Sequence, residues 1–142
     1  MKVLRPTQNG FSLIGWKEFV ILPELGHAQL IAKIDTGARS SALHAEAISI
    51  VGKRVSFKLG SRRHELPMAA LKRIKSSNGF SELRPSVEIE VELGSQRFKT
   101  AMTLTDRTDM EMPMLLGREA IKGRFLVNAG RSFLLSRKGR SK

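Results

Sequence analysis

Residues 87–93 read Val-Glu-Ile-Glu-Val-Glu-Leu, a strict alternation of apolar and acidic side chains. Successive side chains of a strand point to opposite faces, so this stretch makes one apolar face and one wet face. A slip of a single residue would bury every glutamate, which fixes the register. Gly94-Ser95 then offers a turn, and Gln96 to Leu104 a return strand. This hairpin commits the chain to antiparallel β-structure with a one-sided core.

The remaining strand signals are short. Trp16 to Leu22 reads as a strand stopped by Pro23, Glu24 to His27 as a turn, and Ala28 to Ile34 as a second strand ending on Asp35. Ala47 to Val51 and Val55 to Leu59 flank a Gly52-Lys53-Arg54 turn, and Met114 to Leu116 is a short buried strand. Gly117 to Gly123 suggests one or two helical turns closed by the glycine. Phe125 to Val127 and Phe133 to Leu135 flank an Asn128-to-Arg131 turn, giving an expected final hairpin. Residues 61–77 are hard to read: Pro67 to Leu71 fits either a helical turn or an irregular strand, and Ser76-Ser77-Asn78-Gly79 is a turn signal. Many short strands with one short C-terminal helix predict a mostly-β barrel or sandwich.

The 142 residues suit one domain, and a hydrophobic content of 41% argues against wholesale disorder. The expected layout is an extension over 1–15, a domain over 16–136 and a basic tail over 137–142 that reads as disordered. No apolar run approaches a membrane span, and Arg5, Pro6, Gln8 and Asn9 break any signal-peptide core, so a cytoplasmic, non-membrane protein is expected. With no cysteine, disulfides, thiolate zinc sites and thiol catalysis are excluded. The formal charge is +12, from 25 Lys and Arg against 13 Asp and Glu. Such a balance attracts nucleic acid, ribosome or acidic peptides. A solvated basic surface accounts for the same numbers. One Trp, no Tyr and seven Phe leave little for base stacking, which weakens the nucleic-acid reading.

Asp35-Thr36-Gly37-Ala38 is the chemical feature of the chain. An aspartate at the end of an apolar strand caps a turn by accepting nearby amides, or it serves as half of a catalytic carboxylate pair. Both readings are open from the tripeptide alone. A second segment far downstream, Pro113-Met114-Leu115-Leu116-Gly117-Arg118-Glu119-Ala120-Ile121, changes the balance.

Together the two segments resemble the retropepsin-like aspartic peptidases. The chain is closer to a bacterial family of that type, historically labelled ATP-dependent zinc protease and associated with RimK-type ATP-grasp glutamate ligases. The resemblance runs from about Trp16 to Leu135 and includes DTGARSSALHA, IKSSNGFSELRP and LTDRTDMEMPMLLGREAIKGRFLV. It implies a closed or partly open acid-protease barrel, an aspartic endopeptidase activity centred on Asp35, and a helix opened by Gly117-Arg118 packed beneath the Asp-Thr-Gly turn.

Carboxylate-driven peptide hydrolysis needs two acids sharing one proton, because both cannot ionise side by side. This chain has one Asp-Thr-Gly; Asp106 and Asp109 lack the strand-then-glycine setting. A homodimer with two Asp35 side chains across a twofold axis is the simplest source of the pair. Gly37 permits the turn and brings its amide to the carboxylate. By resemblance, Thr36 bonds across to the partner loop and holds the acids coplanar. Ala38 supplies no hydroxyl where Ser or Thr would favour the ionised acid, so activity at less acidic pH is expected than in Ser- or Thr-bearing relatives.

Two positions depart from the viral pattern. Arg39 stands where those enzymes usually carry Asp, and Glu119 where they prefer Asp or Asn, so their cross-dimer ion pairing is in question here. Arg39, Ser40, Arg84 and Arg118 are candidate contacts for an acidic or glutamylated peptide, and Arg118 equally fits a role tying the helix to the barrel. The segment from Arg62 to Arg84 is the expected cover of the site. No cofactor and no metal are expected. His64-Glu65 lacks the second histidine of the zincin pattern, Pro67 breaks the helix that pattern needs, and His27 and His44 lie far off in sequence. Nothing resembles a phosphate loop. The alternatives to a homodimeric peptidase, linked to a RimK-type ligase, are a catalytically weak basic β-barrel facing ribosome or RNA, and a regulatory pseudoenzyme.

Overall fold

The computed structural model describes residues 10–75, 79–107 and 110–136. Its elements are β1 (Ser12–Ile14), β2 (Lys17–Leu22), β3 (Ala28–Ile34), β4 (Ser41–His44), β5 (Glu46–Val51), β6 (Arg54–Leu59), β7 (Arg62–Pro67), β8 (Ala70–Lys75), β9 (Ser81–Leu93), β10 (Gln96–Thr105), β11 (Met114–Leu116), α1 (Arg118–Ile121) and β12 (Phe125–Val127).

The alternating stretch forms the second half of β9. Leu93 pairs with Gln96 across a turn whose Gly94 has φ of +62°, a left-handed conformation that favours glycine. Val87, Ile89, Val91 and Leu93 are buried, as the period of two requires. Strands run β10-β4-β11-β3-β2-β9, and the β9–β10 pairing closes the ring into a six-stranded barrel. Val20, Leu22, Ala32, Ile34, Leu43, Met102, Leu104, Met114 and Leu116 complete its apolar interior.

The connection that matters for the site is β11. It lies between β3 and β4, parallel to the first and antiparallel to the second. Leu116 thus ends beside Ile34, which brings the second sequence motif against the first. β5, β6 and β7 form a separate meander whose Val55 and Phe57 are buried against the barrel core.

Pro67 to Leu71 follows the irregular-strand alternative: Pro67 ends β7, and Ala70 and Leu71 begin β8. One expectation needs correction. Phe133 to Leu135 is not a strand, and no final hairpin forms, because β12 pairs in parallel with β1 instead. The physical reason is Glu18, which alternation places inside β2 and which is fully buried. Its carboxylate accepts the backbone N–H groups of Gly15 at 2.7 Å, Leu134 at 2.8 Å and Ser136 at 3.0 Å, and also that of Leu135. Residues 134–136 therefore spend their amides on a side chain, where a strand would spend them on a ladder. The turn expected over 76–78 and the basic tail over 137–142 lie outside the described residues.

Candidate active site

β3 ends where its ladder passes to β11. The Asp35 N–H donates to the Leu116 carbonyl at 2.9 Å, which fixes the backbone at the strand end. The chain then turns, with the Ala38 N–H on the Asp35 carbonyl at 3.2 Å and the Gly37 N–H on Asp35 Oδ1 at 2.9 Å. The turn-capping reading of Asp35 is thus geometrically correct, and it orients the carboxylate. Asp35 is half-buried, whereas Thr36 and Gly37 are exposed.

The helix start is built into the same loop. The Arg118 N–H donates to the Ala38 carbonyl at 2.7 Å and the Glu119 N–H to the Arg39 carbonyl at 3.0 Å. No side chain caps α1, so the loop carbonyls take the amides a cap would have taken. Gly117 makes this approach possible: a Cβ there would lie 2.5 Å from the Ser40 carbonyl oxygen and 2.9 Å from that of Ala38. Ser41, buried at the start of β4, accepts the Gly117 N–H through Oγ at 3.0 Å.

Arg118 Nη1 donates to the Thr36 carbonyl at 3.1 Å, the tie between helix and turn. Arg39 Nε meets Glu119 Oε2 at 3.3 Å. The two positions that depart from the viral pattern therefore face each other within one chain as an ion pair. Both side chains are exposed, so the pair adds little stability. Thr36, Arg39, Arg118, Glu119, Ile121 and Lys122 line a groove of about 480 Å³ beside the turn. Three cations, one acid and an apolar floor at Ile121 suit a partner with a carboxylate on an aliphatic stem.

Of the residues singled out in the sequence, Asp35 to Ser40, Gly117 and Arg118 come together. Arg84 is not among those lining the groove; it sits on β9, bonded to Glu82. The histidines stand on separate elements, and among the described residues no three His, Cys, Asp or Glu side chains gather as a metal site. His44 Nδ1 accepts the Arg107 N–H at 3.2 Å, and His64 packs its ring 5.9 Å from Phe57. Partial burial, and then the charge of Arg62, hold His64 below its usual pKa. Asp109 lies outside the described residues. Ser41 and Glu18 escaped the sequence reading. A serine after Arg-Ser carries no pattern of its own, while Glu18 betrays itself only by falling on the inward phase of β2.

A single closed barrel that ends a strand in Asp-Thr-Gly and props the turn on a Gly-Arg helix start defines the retropepsin-like class. The chain belongs to the RimB-like family, described as retropepsin-like aspartic endopeptidase RimB, whose model matches residues 13–138. It is 38% identical over 139 residues to a "Probable alpha-L-glutamate ligase" of Shewanella pealeana, covering 89% of this chain and 30% of that protein. A protein of the same name from Parasynechococcus marenigrum is 32% identical over 130 residues, covering 82% and 28%. The chain thus spans under a third of the curated relatives it matches. A crystal structure of a Legionella pneumophila protein of unknown function superposes with a TM-score of 0.71 at 27% identity, over 87% of this chain and 98% of that one. Among the described residues, no helix is long and apolar enough to cross a membrane.

Proposed function

We propose that this chain is an aspartic endopeptidase completed by a second copy of itself. The observation that carries the reading is Asp35: one oriented carboxylate per chain, half-buried beside an exposed Thr36-Gly37 turn. With two such turns facing across a twofold axis, the acids share one proton. A water between them loses a proton to the ionised acid as its oxygen attacks the peptide carbonyl, and the protonated acid donates to the carbonyl oxygen. The tetrahedral intermediate collapses by breaking the C–N bond. The leaving nitrogen takes a proton, and a carboxylic acid and an amine result. The hairpin of β8 and the first half of β9, which extends beyond the β9–β10 pairing, is the candidate cover.

Acidic peptides are the proposed substrates. Supporting this are the cationic groove beside Asp35 and the glutamate-ligase name carried by relatives that contain a stretch similar to most of this chain. A ligase that joins glutamates makes bonds that such a peptidase would break.

The test is cleavage of a glutamate-rich and a neutral peptide by the purified chain, followed by mass spectrometry. Asp35→Asn should abolish both cleavages while leaving the circular dichroism spectrum unchanged. Arg39→Glu should reduce cleavage of the acidic peptide about tenfold and spare the neutral one. Equal loss on both peptides counts against a substrate role for Arg39. Retention of cleavage by Asp35→Asn sinks the mechanism. Binding of RNA by a chain without hydrolytic activity would favour the basic-barrel reading drawn from the +12 charge.

A further inference from the structure

A second concentration of charge lies on the β8–β9 hairpin. In its antiparallel register Lys72 stands opposite Arg84, and Ile74 opposite Glu82. Opposed residues project from the same face, so these four side chains share one side and Leu71, Arg73 and Leu83 the other. The first side is the more enclosed: Lys72, Ile74 and Arg84 are half-buried, while Leu71, Arg73 and Leu83 are exposed.

Two cations directly opposite each other repel, unless an anion is kept beside them. Glu82 is such an anion. Arg84 keeps only 16% of its side-chain exposure and donates from Nε to Glu82 Oε2 at 2.7 Å, while Glu82 remains 64% exposed. The Arg84 hydrogen bond, then its charge, hold the Glu82 carboxyl below its usual range, and Arg107 acts in the same direction from the segment after β10. The carboxylate is therefore held by its bond to Arg84 and not by packing. A carboxylate on another chain offers Arg84 the same bond, and the guanidinium fork is shaped for it.

We propose that this face of the hairpin is a carboxylate subsite for acidic peptide side chains, and that Glu82 is its built-in occupant, displaced when a substrate glutamate or aspartate enters. As a determinant of substrate choice this rests on the peptidase reading above; as a binding site it does not. The resident acid sets a threshold. A peptide with one acidic residue gains little from exchanging one carboxylate for another, whereas a run of acids engages Arg84 and the neighbouring cations together.

The experiment is fluorescence anisotropy of labelled hexaglutamate on the full chain carrying Asp35→Asn, which separates binding from hydrolysis. Glu82→Gln should tighten binding about fivefold, and Glu65→Gln, the same charge change on an acid paired with Arg54 at 2.9 Å, less than twofold. Arg84→Gln should weaken binding about tenfold and erase the gain from Glu82→Gln. Should that variant fail to fold, Arg84→Lys keeps the charge, loses the fork and must lose most of the gain. A Glu82→Gln effect no larger than that of Glu65→Gln, a gain that survives loss of Arg84, or no measurable binding overturns the proposal. If hexaglutamate binds with this pattern but is not cleaved by the unsubstituted chain, the peptidase reading falls and the subsite stands. If cleavage depends on Asp35 but Glu82→Gln behaves like Glu65→Gln, the subsite alone falls.

Discussion

Gly117 does its work by being small. Its φ of −94° is open to any residue, so conformational freedom is not the reason for glycine; the reason is that an added Cβ would lie 2.5 Å from the Ser40 carbonyl oxygen. Backbone is the obstacle, and it cannot rotate away as a flexible side chain would. Gly117→Ala should therefore push the helix start off the turn, cost about 1–3 kcal/mol in urea unfolding, and reduce cleavage by more than the stability loss explains. Unchanged activity would mean that the contact between the two motifs is irrelevant to the turn. Ala38 tests the chemistry without moving backbone. Ala38→Ser adds a hydroxyl that favours the ionised acid, so the acid limb of the kcat/KM profile should move to lower pH, with the alkaline limb falling earlier as the shared proton is held less tightly. A profile unmoved by the substitution would show that this side chain does not reach the acids.

At the scale of elements, β2, β3, the β9–β10 hairpin and the helix start were legible because hydrophobic period and turn chemistry agreed there. The Asp-Thr-Gly turn and the Gly-Arg segment were legible too, each needing the other to gain meaning. β7 and β8 were not. Arg62 to Pro67 turns only His64 and Leu66 inward, and its charged residues mask the period. β8 alternates in burial, but Lys72 shares its half-buried side with Ile74 while Leu71 is exposed, so the sequence shows no apolar period. Phe133 to Leu135 misled in the opposite sense: an apolar run read as a strand, whereas Phe133 stacks on Phe19 at 4.6 Å and Leu135 covers Gly94. The buried Glu18 accounts for the amides of Leu134 to Ser136 by hydrogen bonding, which no periodicity reports. Glu18→Gln keeps the shape but turns an amide donor toward backbone donors. It should cost about 2–4 kcal/mol, seen as a lower urea midpoint with an unchanged slope. A loss under half a kcal/mol would show that the strap is held by Phe133 and Leu135 packing instead.

For the whole molecule, the decisive property is that the site described here is one carboxylate on an open face. Glu18 turns residues 134–136 back onto β2, and β12 pairs with β1, so both stretches are engaged within the protomer. In the homodimer proposed above, a second Asp35 is needed at the exposed face carrying Thr36, Gly37 and the Arg39–Glu119 pair. Mixing distinguishes this from a self-sufficient chain. When unsubstituted protein is combined with an equal amount of Asp35→Asn and allowed to exchange subunits, random pairing leaves about a quarter of the dimers with two aspartates. Activity per total chain should fall to about that fraction, and further excess of the variant should suppress it as the square of the active fraction. A linear fall to about one half, independent of exchange time, would mean that each barrel works alone with an acid other than a second Asp35. Sedimentation of the same mixtures gives the dimer population independently, so weak association and a wrong mechanism leave different signatures. The first restores activity as total protein rises, and the second does not.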